Sequence, residues 1–317
     1  MFELFLYHLQ LCLPLFLLVI LGWGLIVGKL FDQSVTRVLS GFTFRFLMPA
    51  LLFSLMSKLS EMPPVDWRVL IAFFGSCVII YCLGRTAGRF FGLDNTGKTI
   101  FGMAAIFGNN VQLGVPILQI SLGDEAMPTI SLLIIFSVLL LWTTAIASVE
   151  LGKAEGKLDW KRIGRPMLKV FKNPVVLAII LGSAWGLTGW KLPDFVERTL
   201  GYVSSATTPI ALIVVGMGLA HHRFTSALPR GLTISTLKIV IHPIIVFCLA
   251  KLIGLDEITT NACVLTASLP VAINVYLMAS EFRSEEGSAS NAIFVSTMLS
   301  ALLIPLTLTL LGVRVSL

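Results

Sequence analysis

The chain has 317 residues, of which 56% are hydrophobic and 13% charged, and its net charge is +6. A soluble domain of this size carries about 25% charged residues, so the composition excludes an ordinary water-soluble fold. The basic balance does not indicate nucleic acid, because Lys and Arg sit in short separators between apolar runs, the distribution that membrane insertion favours.

Ten apolar runs approach the roughly 20 residues that a spanning helix needs: 8–28, 36–57, 67–91, 97–121, 127–149, 173–190, 199–220, 231–254, 259–281 and 287–312. The first run continues to Val27, has Glu3 ahead of it and lacks a basic leader. It therefore reads as a retained helix and not as a cleaved signal peptide. The longest separator, 150–172, carries seven Lys and Arg residues. With the N-terminus outside, 15 of the 23 Lys and Arg residues fall in inside segments and 6 in outside ones. Both termini are then expected to be extracytoplasmic, with the central linker in the cytoplasm against anionic lipid. The five cysteines lie within apolar runs without metal-ligand spacing and read as buried small hydrophobes.

Sliding the chain on itself by 160 residues puts Pro14 on Pro174, Gly22 on Gly182 and Pro49 on Pro209. The acidic turn at 123–126 meets the one at 283–286 in the same register. Each copy holds five spans, and an odd number inverts the second copy. The expected architecture is thus an all-α membrane protein of ten transmembrane helices in two inverted five-helix repeats, 1–149 and 173–317, joined by the linker 150–172. Inverted repeats are a construction of secondary transporters, with the site near the midplane.

Two spans carry breaks. Residues 108–118 read GNNVQLGVPIL, and residues 267–279 read ASLPVAINVYLMA. Proline removes a donor and clashes with the preceding turn, and glycine weakens the helix further. Broken backbone in hydrocarbon survives only where it is buried in protein or lines a cavity. Half-helix N-termini suit an anion. Asn109, Asn110, Gln112, Gly114 and Pro116 are the candidates in the fourth span. Pro270, Asn274 and Tyr276 are those in the ninth. Arg45 and Lys238 lie deep in the second and eighth spans, where ionisable groups are costly and become functional candidates. His242, one turn from Lys238, reads as a packing or hydrogen-bonding group. The sequence has no Walker A motif, HExxH or GxSxG, so neither ATP-driven transport nor an enzyme is expected, and no cofactor or metal site is read.

The stretches GNNVQLGVP, FLMPALLF and SLPVAINVYLMASEF resemble the auxin efflux carrier family, including its bacterial malonate-transporter-like members, over the whole chain. The family is related to the bile-acid symporters. The resemblance implies a scaffold and a mobile transport domain interleaved across both repeats, with helices 4 and 9 crossing at their breaks. It also implies a carboxylate-bearing substrate and elevator-like alternating access. Asn109, Pro116 and Pro270 match the family's positions. The chain lacks the long central loop of the plant members and has Asn274 where their ninth span is apolar. Both departures favour a small organic anion, such as malonate, in a bacterial cytoplasmic membrane. Coupling to H⁺ or Na⁺, or uniport, stays open, as does assembly as a homodimer. Two other readings are a Na⁺ symporter of an amphipathic steroid-like acid and a membrane receptor without transport.

Overall fold

A computed structural model describes residues 1–61, 66–137, 144, 174–220 and 226–313. The end of the fifth predicted span, the linker 150–172, and His221 and His222 lie outside the described residues. Every long element is helical: α1 Phe2–Val27, α2 Gln33–Met56, α3 Arg68–Phe90, α4 Asn95–Ala104, α5 Val115–Leu122, α6 Met127–Phe136, α7 Pro174–Leu187, α8 Asp194–Ala220, α9 Leu228–Ile253, α10 Glu257–Ser268, α11 Ile273–Glu281 and α12 Glu286–Leu310. Among the described residues, α1, α2, α3, α8, α9 and α12 are long and apolar enough to cross a membrane. The fourth and ninth predicted spans are each two shorter helices, α4 with α5 and α10 with α11. The break between each pair removes the uninterrupted length by which a spanning helix is recognised.

The helix starts follow from their caps. Asp94 Oδ1 accepts from the Gly97 amide at 2.8 Å, and Asp256 Oδ1 from the Thr259 amide at 2.9 Å. Each Asp closes a Gly-Leu-Asp turn, 92–94 and 254–256, whose glycine has φ near +70°. Such a φ is costly for any residue with a Cβ. The leucine amides return to Gly88 and Ala250. The two turns are 162 residues apart and built alike.

Among the described residues, π-helical turns occur at Thr43–Leu47, Asn110–Gly114 and Leu237–Ile241. Each ends two residues before a proline: Pro49, Pro116 and Pro243. A proline cannot donate to the carbonyl four residues back and clashes with it, and a wider turn relieves both faults. In α2 and α9 the helix continues past the proline, so these two spans, expected to be regular, each carry a local widening.

The side chains pack into two apolar cores. One is built from α3, α4, α9, α10, α11 and the first half of α12, around Phe73, Ile80, Phe101 and Met278. The other joins α1, the end of α2, α5, α6, α7 and α8, around Phe16, Met48, Leu52 and Leu212. Lipid supplies no hydrophobic drive between helices, so close approach at small residues matters. A Cβ on Gly22 would lie 1.9 Å from the Ile213 carbonyl oxygen, and one on Gly182 would lie 2.8 Å from that of Phe53. Gly22 and Gly182 are 160 residues apart, as are Phe53 and Ile213.

Candidate transport site at the helix crossing

The two interrupted spans meet at their breaks. Residues 107–109 and 270–272 run antiparallel, with Gly108 opposite Val271. The Asn109 amide donates to the Pro270 carbonyl at 2.8 Å, and the Ala272 amide to the Phe107 carbonyl at 3.0 Å. Each break thus satisfies the backbone that the other leaves open. These partners are related by 163 residues, three more than the register of the first spans. The Val271 amide is taken by Ser296 Oγ of α12 at 3.0 Å. Position 108 is tight, because a Cβ there would stand 2.7 Å from Asn110 Oδ1 and 3.3 Å from Lys238 Nζ and would push both side chains aside.

A cavity of about 670 Å³ opens beside the crossing, with walls from both apolar cores. Asn109, Asn110, Gln112, Asn274, Tyr276 and Arg45 line it. Asn110 is buried, and its Oδ1 has no hydrogen-bond partner among the described residues. The π turn that starts at Asn110 and α11, which starts at Ile273, have their N-terminal ends at this cavity. The first amides of a helix have no acceptor within it and carry a partial positive charge. The site thus offers free donors, neutral amides and one aromatic hydroxyl.

Four predicted residues sit elsewhere. Gly114, Pro116 and Pro270 are buried in the protein behind the cavity wall. Gly114 packs against Leu269, since a Cβ would lie 2.5 Å from its Cδ1. Lys238 is fully buried and donates to the carbonyl of Ala267, in the last turn of α10. A donor there meets the carbonyl end of the helix, whose last oxygens lack partners within it. His242 Nε2 lies 3.0 Å from Ser76 Oγ, and its ring lies against Phe73.

Sequence reasoning missed Gln33, Arg37 and Ser40 of α2, and Ser137, Ser290 and Thr297. A signal existed for the first group. Gln33, Arg37, Gly41 and Arg45 recur every four residues, a polar stripe on one helix face. Among the described residues no cluster of three His, Cys, Asp or Glu side chains could hold a metal.

The family model described as membrane transport protein matches residues 7–308. The chain is 27% identical over 298 residues to a Rhizobium meliloti protein named "Putative malonate transporter", covering 92% of this chain and 91% of that one. It is 21% identical over 308 residues to auxin efflux carrier component 8 of Arabidopsis thaliana, covering 80% and 83%. The lysosomal cholesterol signaling protein of Mus musculus is 24% identical over 306 residues, which cover 88% of this chain and 35% of that protein. The chain belongs to the membrane transport protein family that includes the auxin efflux carriers, and it is a multi-pass membrane transporter of a small molecule.

Proposed function

We propose that this protein is a secondary carrier, or a uniporter, of a small organic anion, a carboxylate or dicarboxylate such as malonate, in the cytoplasmic membrane of a bacterium. The observation that carries this reading is the pair of half-helix N-termini at one cavity, beside a crossing whose backbone is otherwise satisfied. Free amides and a partial positive charge suit a carboxylate. Asn109, Asn110, Gln112 and Asn274 orient it, and Tyr276 forms part of the wall. Gly114, Pro116 and Pro270 act by shaping the breaks.

The architecture proposed with it is two inverted five-helix repeats, 1–149 and 173–317, around the cytoplasmic linker 150–172. The glycine contacts related by 160 residues and the reciprocal hydrogen bonds at the crossing support it. The helices α1, α2, α7 and α8 form the scaffold, and the crossing helices, which pack against both cores, move across it as an elevator. With both termini extracytoplasmic, the cavity mouth at Gln33, Arg37 and Ser290 faces the cytoplasm.

Proteoliposomes loaded with labelled malonate test the reading. Wild type carries malonate across, and Asn109→Ala loses most of that flux. An Asn109→Ala protein with normal flux removes the proposed site. Coupling to H⁺ or Na⁺ is read by imposing each gradient in turn. A Na⁺ symporter of a steroid-like acid would show flux that stops without Na⁺, yet no carboxylate lines the cavity among the described residues. One observation favours a non-transporting receptor: the mouse relative is named a signaling protein. Ligand binding without flux would establish that alternative.

A further inference from the structure

The cavity carries charge on one side only. Arg37 and Arg45, both on α2, are its charged lining residues among those described. Neither has a hydrogen-bond or ion-pair partner among the described residues. Arg45 lies 12 residues beyond Gln33, or ~18 Å along the helix, near the middle of a ~30 Å hydrocarbon core. A guanidinium cannot shed its proton to escape that environment, and a charge at that depth is costly without a partner. Arg45 is exposed at the cavity, so its charge is available to an anion that enters. The facing wall offers helix ends and neutral amides, which suit a single carboxylate.

We propose that Arg45 binds a second carboxylate of the transported molecule and so selects short dianions over monoanions. The assignment rests on the anion reading of the crossing and extends it across the cavity. One carboxylate sits at the half-helix ends of the mobile body, and the other is held by the fork of Arg45 on the scaffold. Arg37, two turns nearer the mouth and ~12 Å from Arg45 along the helix, acts differently. It raises the local concentration of any anion and does not count charges.

The test is binding of malonate and of malonamate, its monoamide, to the purified full-length protein in nanodiscs by calorimetry. The pair keeps the carbon skeleton and removes one charge. Wild type is expected to prefer malonate by about 10- to 100-fold, the range of a charge-assisted hydrogen-bond pair. Arg45→Gln brings the ratio close to one by weakening malonate and leaving malonamate nearly unchanged. Arg45→Lys keeps the charge without the fork and gives an intermediate ratio, which preserves the test if the glutamine variant does not fold. Arg37→Gln weakens both anions by a similar factor that added salt removes. A wild-type ratio near one, or an unchanged ratio in Arg45→Gln, overturns the role of Arg45 and leaves the anion site at the crossing standing. A wild type that binds neither anion overturns both.

Discussion

Arg45 and Lys238 have nearly the same local setting and opposite fates. Each lies inside a π turn that ends two residues before a proline, in a span that otherwise continues as helix. Arg45 reaches a cavity and has no protein partner among the described residues. Lys238 is fully buried, packed beside Gly108 and tied to the carbonyl of Ala267. Local sequence chemistry put two basic residues within the membrane, and tertiary position divided them into a group left for a ligand and a donor used up by the fold. A helix C-terminus pointing into the protein needs a donor, and Lys238 supplies it. Among the described residues nothing comparable stands opposite Arg45.

That division can be broken at its weakest point, which is Gly108, between the crossing and Lys238. Gly108→Ala forces a Cβ to within 2.7 Å of Asn110 Oδ1 and 3.3 Å of Lys238 Nζ. Flux should fall by about 100-fold or more in proteoliposomes, because a misplacement of ~1 Å at a site costs about that much. Normal flux would mean that the crossing is looser than its contacts suggest.

Lys238→Ala comes next. It removes a donor to a buried carbonyl and leaves a void, together worth ~2–4 kcal/mol, read as a drop in melting temperature in detergent. Lys238→Met keeps most of the volume and should recover about half of that loss. If both variants were as stable as wild type, the Ala267 carbonyl would not need its ammonium. Arg45→Gln, by contrast, should change stability by less than ~0.5 kcal/mol, since no protein contact is lost, and should show its effect in malonate binding. A large stability loss there would place Arg45 with Lys238 as a structural cation.

The prolines are expected to act through stability, and less than Lys238. Pro243→Ala and Pro49→Ala restore a donor and allow an ordinary α turn. Removing a wide turn in α9 shifts Lys238 relative to Ala267, so the α9 variant should lose more stability than the α2 variant, by ~1 kcal/mol. Equal effects would separate the two π turns from the fates of their cations.

The breaks at 108–118 and 267–279 were legible because proline, glycine and amides crowd stretches that should be featureless in lipid. The split of those spans into half-helices, and the polar stripe on α2, follow from residue type and spacing alone. The register of the crossing was not legible. A shift of 160 aligns the prolines and glycines of the first spans, yet the Gly-Leu-Asp turns repeat at 162 and the crossing at 163. One fixed offset cannot follow length changes between elements. The π turns were also hidden, because they are a backbone response to a proline within a helix that does not stop. The burial of Lys238 depends on where α10 ends in space, which no stretch of α9 encodes.

The reciprocal pairing of the two breaks sets a problem for the ribosome. Until residues 270–272 emerge, the Phe107 carbonyl and the Asn109 amide have no partner. An orphaned backbone group in hydrocarbon costs several kcal/mol. Translation at ~5–20 residues per second leaves that interval at about ten to thirty seconds. The fourth span must therefore spend its first moments held by the insertion machinery, by water or by its neighbours. A truncated chain that stops short of Pro270 should be recognised as unfinished and degraded.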